Sequence, residues 1–345
     1  MAKNDVLYNI NRKKKQNSIS GRAAALLGAL LALLLFAWYA CAEETTVPSP
    51  EPPAGYKTDR PTPVPTEAPP ETVIDHINYP RVMPDFAFPE GSKLLEIWFP
   101  NIREADYALL QYDGENCLID CGDERAAARG ALLLRQLGVG KIDVIYNSHP
   151  HHDHIDGLAL TDDTARVGMV RVCFRPALTA SGLNMLQTAE ERGIPVAEYR
   201  DGDVFTMGDG AVTLHFFMNT DTLLDMNNQS AQTLVAYGER RMLFTADMEK
   251  PGQEEIVQHV DEELLKCDIM KYPHHGKSEM KPVFFDKANP KLVVVTSSEG
   301  RGDLGQSFLV NRRTPAVYTG ASGRFIHLVT DGKYWLCEYV PITVK

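Results

Sequence analysis

"SHPHHDHIDG", residues 148–157, places four of the chain's ten histidines within six consecutive positions. It continues directly from "KIDVIYNS" (141–148), an apolar run rich in β-branched residues that predicts a buried strand. The histidines therefore begin in the loop at a strand's C-terminal edge. Loops held by a rigid scaffold are where binding and catalytic groups concentrate. His149, His151, Asp153 and His154 form the pattern H-x-H-x-D-H. Imidazole and carboxylate together suit zinc and neighbouring divalent metals, and this spacing lets one loop offer two ligand pairs to two adjacent ions. His152 falls between the ligand positions and is expected in solvent or behind them.

The sequence around this loop predicts an α/β domain. "ALLQY-DG-ENCLIDCG" has the form of a hairpin turning at Asp113-Gly114, and "AQTLVAY-GE-RRMLFTAD" that of a second. Further strands are predicted at "VRVCF" (170–174), "VTLHFF" (212–217), "KLVVVTS" (291–297), "PAVYTG" (315–320), "RFIHLVT" (324–330) and "KYWLCEY" (333–339). Apolar residues at helical spacing predict helices over 123–138, 182–193 and 248–265. Hairpins with interspersed helices imply two mixed sheets packed face to face and covered by helices outside. No internal repeat is evident.

The N-terminal part has a different composition. Residues 1–22 carry six Lys/Arg against one Asp, and 23–42, "AAALLGALLALLLFAWYACA", are twenty uncharged and mostly apolar residues. That length can span a bilayer. The basic flank predicts that residues 1–22 stay in the cytoplasm and that everything after Ala42 is exported. An uncleaved anchor, cleavage after Ala40-Cys41-Ala42 and lipidation of Cys41 all remain open, although Trp38 stands where a lipoprotein site has a small aliphatic residue. Residues 43–85 are rich in Pro, Thr and Glu with little to bury, and predict an extended spacer holding a folded domain, 86–345, away from the membrane.

The formal net charge is −11, and the part after residue 90 is itself acidic, which argues against a surface built to coat nucleic acid. The six cysteines show neither a CxxC pair nor a regular spacing, so no disulfide framework is expected, and Cys117 and Cys121 are expected as buried free thiols. "RGD" at 301–303 is expected to be a turn.

The motifs together resemble those of the metallo-β-lactamase superfamily. Beside the histidine loop, "LIDCG" (118–122), "LFTADME" and "DIMKYPHHGKS" resemble the family's other motifs and occur in family order over roughly 92–340. "SHPHHDHIDG", "NNQS" (227–230) and "MKYPHHGKS" (270–278) are further similar to the hydrolase domain of ComEC-like competence proteins and their stand-alone relatives, and "HHG" to phosphorylcholine esterases.

The resemblance implies a four-layer αββα sandwich and two divalent ions, zinc or alternatively manganese. It assigns His149 and His151 to the first ion, Asp153, His154 and His275 to the second, and Asp247 to both, with Asp120 orienting a ligand histidine from behind. Two such ions generate a hydroxide nucleophile near neutral pH, so no protein nucleophile is required. The related esterase plan makes His275 the ligand of the histidine pair. His274, with Lys271, would then face the substrate, where they could contact a phosphoryl oxygen or protonate a leaving group.

Some positions depart from the family. The third histidine for the first ion has one counterpart by position, His215, which lies inside an alternating strand and is expected to be packed there; Asn and Ser of "NNQS" are expected near the vacant ligand place. The Ser after "HHG" is Lys277, and "GHP" is "GQS" (305–307). Three functions follow from these patterns: an exported phosphodiesterase or nuclease, an esterase removing phosphate-linked groups such as choline phosphate from wall polymers, or a non-catalytic surface-binding protein. The implied partners are accordingly DNA or phosphate-linked cell-wall groups, and the membrane through 23–42.

Overall fold

The computed structural model describes residues 87–299, 304–321 and 323–343. The apolar segment 23–42, the spacer 43–85 and "RGD" 301–303 lie outside the described residues. Among the described residues no helix is long and apolar enough to cross a membrane.

Two large sheets form the centre. The first runs, in spatial order, Trp335–Pro341, Arg324–Thr330, Leu95–Phe99, Tyr107–Tyr112, Glu115–Cys121, Val144–Asn147, Val170–Val172 and Val196–Glu198. The second runs Ala316–Tyr318, Leu292–Val295, Ile269–Lys271, Arg240–Phe244, Gln232–Tyr237, Val212–Phe217 and Val204–Met207. Side chains alternate across each strand, so one face of each sheet is free to pack on the other. Leu95, Ile97 and Phe99 of the first sheet meet Leu214, Phe216, Phe244 and Val294 of the second in the central core. Tyr107, Leu109 and Leu118 turn the other way, against Leu133 and Leu134 of helix Glu124–Leu137. Leu243, Met270 and Val293 pack likewise against Ile256, Phe284 and Leu309, on helices Lys250–His259, Pro282–Ala288 and Leu304–Arg312. The result is the expected order helix, sheet, sheet, helix.

Local chemistry sets the boundaries. The hairpin turn at Asp113-Gly114 has φ of 50° and 84°, the doubly positive pair that a two-residue turn between twisted strands requires. Asp123 caps helix Glu124–Leu137 by accepting from Ala126 N, and Gly138 ends it at φ 70°. The helix expected over 248–265 is instead two, Lys250–His259 and Glu262–Leu265. Val260 is extended between them, and the Asp261 carboxylate caps the second by accepting from Glu263 N. The strand expected at 141–147 is also divided. Asp143 leaves the ladder to bond Asn116 through both its backbone N–H and its carboxylate, and Lys141–Ile142 pairs separately with Arg166–Val167. Cys117, Cys121 and Cys267 are buried free thiols, as composition suggested for the first two.

A titratable cluster lies on the outer face of the first sheet. His327 stands opposite Trp98 and Glu338 in the strand register, and its ring stacks on Trp98 with centroids 3.7 Å apart. Its Nδ1 is 2.8 Å from Glu338 Oε1 and its Nε2 3.0 Å from Glu96 Oε2. Burial disfavours the charged ring, but Glu338 and Glu96 outweigh it and raise its pKa above the ordinary 6.5. Bonding to His327 lowers the pKa of Glu96 below its ordinary 4.5. The histidine's contribution is complete below pH 6.5 and is lost as pH rises through its folded value, whereas the glutamate's is present above pH 4.5 and is lost on acidification. We expect His327→Gln to cost about 1 kcal/mol between these limits and less above them. Urea unfolding from pH 5 to 9 checks this; a pH-independent difference between variant and parent would refute it.

Candidate metal centre

Both sheets present the carboxyl ends of parallel strands on one side. Glu115–Cys121, Val144–Asn147 and Val170–Val172 are parallel in the first sheet, and Arg240–Phe244, Ile269–Lys271 and Leu292–Val295 in the second. Phe244, Lys271 and Val294 are register partners, so Asp247, the His274-His275 pair and Thr296 emerge side by side. Asp120 and the histidine loop emerge opposite them. Sites in α/β sheets form at such carboxyl ends.

The histidine loop is held against "LIDCG" by its own glycine. Gly157 N donates to Gly122 O at 2.8 Å, and a Cβ on Gly157 would stand 2.0 Å from Cys121 O. The segment His152–Ile155 is a single helical turn, which directs His154 inward and leaves His152 exposed. Four non-glycine residues around the centre, Asp120, Ala246, His274 and His275, have φ between 44° and 57°. The left-handed region costs roughly 1–2 kcal/mol per residue, so surrounding bonds must hold these positions. His274 N donating to Ala246 O at 3.0 Å is one of them.

Asp153, His154, Asp247 and His275 bring one ligand atom each within 4.8 Å of one another. His154 Nε2 is 3.3 Å from Asp247 Oδ1, and His275 Nε2 is 3.3 Å from Asp153 Oδ2 and 3.4 Å from Asp247 Oδ2. Nevertheless His154 Nε2, His275 Nε2 and Asp247 Oδ1 are buried without a hydrogen bond. Buried polar atoms left unsatisfied are costly, and several converging on one point fit a cation between them. The opposite ring nitrogens are satisfied. His154 Nδ1 is 2.7 Å from Asp120 Oδ2, which also accepts from Ser148 Oγ, and His275 Nδ1 is 2.9 Å from Thr296 Oγ1. Metal-bound histidines have this arrangement.

The electrostatics agree. Burial opposes charge on His154 and His275, yet Asp247 with Asp120 holds the first well above its ordinary pKa, and Asp247 with Asp106 raises the second to about 10. Burial works against ionised Asp153 and Asp247 too, but the imidazoles of His275 and His154 hold both below the usual carboxylate range. The cluster calls for positive charge, which a proton or a metal cation can supply. Burial and the neighbouring His154 push His149 well below its ordinary value, so its ring stays neutral. Its Nε2 is 3.0 Å from His151 Nδ1 and 3.9 Å from Asp247 Oδ2. His274 lies at the edge, 24% exposed, with Nε2 3.7 Å from Asp247 Oδ2 and Nδ1 2.9 Å from Glu249 Oε1.

Two sequence expectations need correction. Lys271 does not face a substrate: it is 1% exposed, pairs with Asp106 and donates to Ala246 O at 2.7 Å. Asn228 of "NNQS" is no substitute ligand. Its Oδ1 accepts from Glu249 N and Gly252 N, capping the helix after Asp247, and its Nδ2 donates to Asp225. Ser148, just after the strand Val144–Asn147, bonds Asp120 through both its backbone N–H and its hydroxyl. His215 sits mid-sheet opposite Leu234 and Val204, bonded to Thr213, as expected of a packed strand residue. Asp106, Thr296 and Glu249 were missed; the one sequence signal was a carboxylate, Asp106, at the mouth of the apolar run "YALLQY".

The chain belongs to the metallo-beta-lactamase superfamily, whose family model matches residues 103–280. Members of this superfamily are generally metal-dependent hydrolases. The chain is similar to "ComE operon protein 3" of Bacillus subtilis (strain 168), 24% identical over 171 residues, which are 48% of this chain and 21% of that protein. It thus spans about a fifth of the curated relative it matches. Similar solved structures include the metallo-beta-lactamase fold protein YhfI from Bacillus subtilis (13% identity, 66% of this chain, 95% of that one, TM-score 0.44). A putative metal-dependent hydrolase from Parabacteroides distasonis ATCC 8503 is another (13% identity, 66% of this chain, 94% of that one, TM-score 0.42).

Two outcomes are expected here. Because an ion bound only to the folded chain stabilises it, chelation should lower the melting temperature by about 5–10 °C, a difference His275→Ala should reduce by half or more and His152→Ala should keep. Scanning calorimetry with and without chelator measures it. Gly157→Ala should destabilise by about 1–3 kcal/mol through the clash with Cys121 O, read from denaturant midpoints; an unchanged midpoint would show that the loop can shift.

Proposed function

We propose that the chain is a dinuclear metallohydrolase of phosphodiesters, exported and held at the membrane by residues 23–42. The observation that carries the metal-dependent part is the convergence of His154 Nε2, His275 Nε2 and Asp247 Oδ1, all buried and unbonded, with Asp153 beside them. The phosphoester part rests on the motif likeness to ComEC-like hydrolase domains, and the export on the basic flank and apolar segment of the N-terminus.

Asp153, His154, Asp247 and His275 would hold one ion, and His149 and His151, with Asp247, the other. Zinc suits this nitrogen and oxygen set, with manganese the alternative. When bound, the ions supply Lewis acidity toward the phosphoryl group and lower the pKa of water to near neutrality. The chain's own residues do the rest. Asp120 holds His154 at 2.7 Å and keeps its proton on Nδ1. Glu249 does the same for His274 at 2.9 Å, leaving Nε2 at the open edge of the centre. There His274, once it has taken a second proton from solvent on Nε2, would hand that proton to the departing oxygen, a role from which Lys271 is sealed away.

The test is hydrolysis by the purified 86–345 domain, with zinc or manganese, of bis-nitrophenyl phosphate, single-stranded DNA and nitrophenyl phosphorylcholine. His154→Ala and His275→Ala should each lower the rate on the order of a thousandfold, while His152→Ala stays within a few-fold. A strong preference for the phosphorylcholine ester would move the assignment to wall-polymer decoration. A metal-replete protein inert on all three would leave a surface-binding protein.

A further inference from the structure

Asp106 precedes the strand Tyr107–Tyr112 of the first sheet, yet its contacts tie the two halves of the centre together. Its backbone N–H donates to Asp153 O at 3.1 Å, and its carboxylate lies 3.9 Å from His154 Nδ1. On the second sheet, its Oδ1 accepts from Thr296 Oγ1 at 2.8 Å and stands 3.2 Å from His275 Nδ1, and its Oδ2 pairs with Lys271 Nζ. The space alongside is a cavity of about 10 Å³ bounded by Phe99, Tyr107, Phe244 and Ala246, so the pair is shielded from bulk water.

We propose that Asp106 is the positioning residue of the second ion's site, fixing the His275 ring through Thr296 and keeping Lys271 away from Asp247. The first effect follows from proton counting. A carboxylate only accepts, so the single hydroxyl proton of Thr296 goes to Asp106. The Thr296 oxygen, 2.9 Å from His275 Nδ1, must then accept, which makes Nδ1 the protonated nitrogen. With Nδ1 so engaged, Nε2 is the nitrogen turned toward Asp153 and Asp247, where a cation can take the place of its proton. The second effect follows from distance. The Lys271 ammonium is 3.6 Å from Asp247 Oδ1, close enough to compete with a cation for that oxygen if Asp106 did not hold it.

The inference rests on the cluster being a metal centre and is independent of the substrate, so its test is metal binding. Zinc affinities of the full chain, purified in detergent, are measured by competition with a chromogenic chelator. In Asp106→Asn the second ion should bind 10–100-fold more weakly and the first clearly less so, because Asp106 touches Asp153, His154 and His275 of the second ion and reaches the first only through Lys271 and the shared Asp247. A merely structural role would weaken both ions alike. Since Asp106→Asn leaves a buried ammonium unpaired and could fail to fold, Asp106→Asn/Lys271→Met provides a second measurement without that charge. It should recover part of the loss and remain about tenfold below the parent, reporting the His275 ring alone. Parental affinity for the second ion in either folded variant, or equal losses at both ions, would overturn the proposal. A parent that binds no divalent ion would instead remove the metal-centre assignment itself.

Discussion

An ionised carboxylate cannot be buried cheaply; the effective penalty is several kcal/mol per ion unless an opposite charge or hydrogen bonds compensate. This chain buries Asp106, Asp120 and Asp247 almost completely at one place, with Asp153 close by. Each is answered differently. Asp120 accepts from a backbone N–H, a hydroxyl and an imidazole, and Asp106 has a hydroxyl and an ammonium. Asp247 and Asp153 have mainly the Nε2 edges of imidazoles, at distances of 3.3–3.9 Å and without hydrogen-bond alignment for Asp247 Oδ1. The first two carboxylates are thus saturated and act as supports, while Asp247 Oδ1 is buried without a hydrogen bond and Asp153 meets only imidazole edges. That difference in satisfaction separates the groups that could hold a cation from the residues that orient them.

The scaffold makes this concentration of charge possible. Parallel strands from two sheets end on the same side, so side chains distant in sequence arrive together without long loops. The register among Phe244, Lys271 and Val294 aligns three segments, and short backbone bonds such as Tyr272 N to Val294 O extend that alignment past the strand ends. Left-handed backbone at Ala246, His274 and His275 then turns those segments sharply beyond their strands, and at Asp120 it marks an irregularity within the strand, next to the Tyr107–Cys121 pair. The strain concentrates where the ligands and their supports are, while the apolar cores on either side supply the stability that tolerates it.

How much of this was legible in the sequence depended on the kind of signal. Alternation and turn chemistry gave both hairpins, because Asp113-Gly114 and Gly238 are demanded by short loops irrespective of what packs around them. The inner ligand loop was legible because its members are contiguous. Breaks inside elements were not: Val260-Asp261 and Asp143 interrupt apolar patterns that are periodic on both sides, and the cause in each case is one side-chain bond with a backbone N–H. Asp106 and Thr296 were hidden for a different reason. They are 190 positions apart, and each alone looks like an ordinary polar residue at a strand end.

Lys271 shows why residue type and strand-end position do not settle a role. The lysine has the reach and charge to meet a phosphoryl group, and it directly precedes the segment carrying His274 and His275. Its direction is set by Asp106, which enters from the other sheet and takes the ammonium inward. Glu249 acts in the reverse sense on His274, bonding Nδ1 from the partly exposed side so that the ring remains at the rim. Two neighbouring cationic candidates are thereby sorted by two carboxylates, one buried and one open. The carboxylate that meets solvent leaves its imidazole within reach of the rim, whereas the buried one keeps its ammonium inside, where parting the two charges would strand both in the interior.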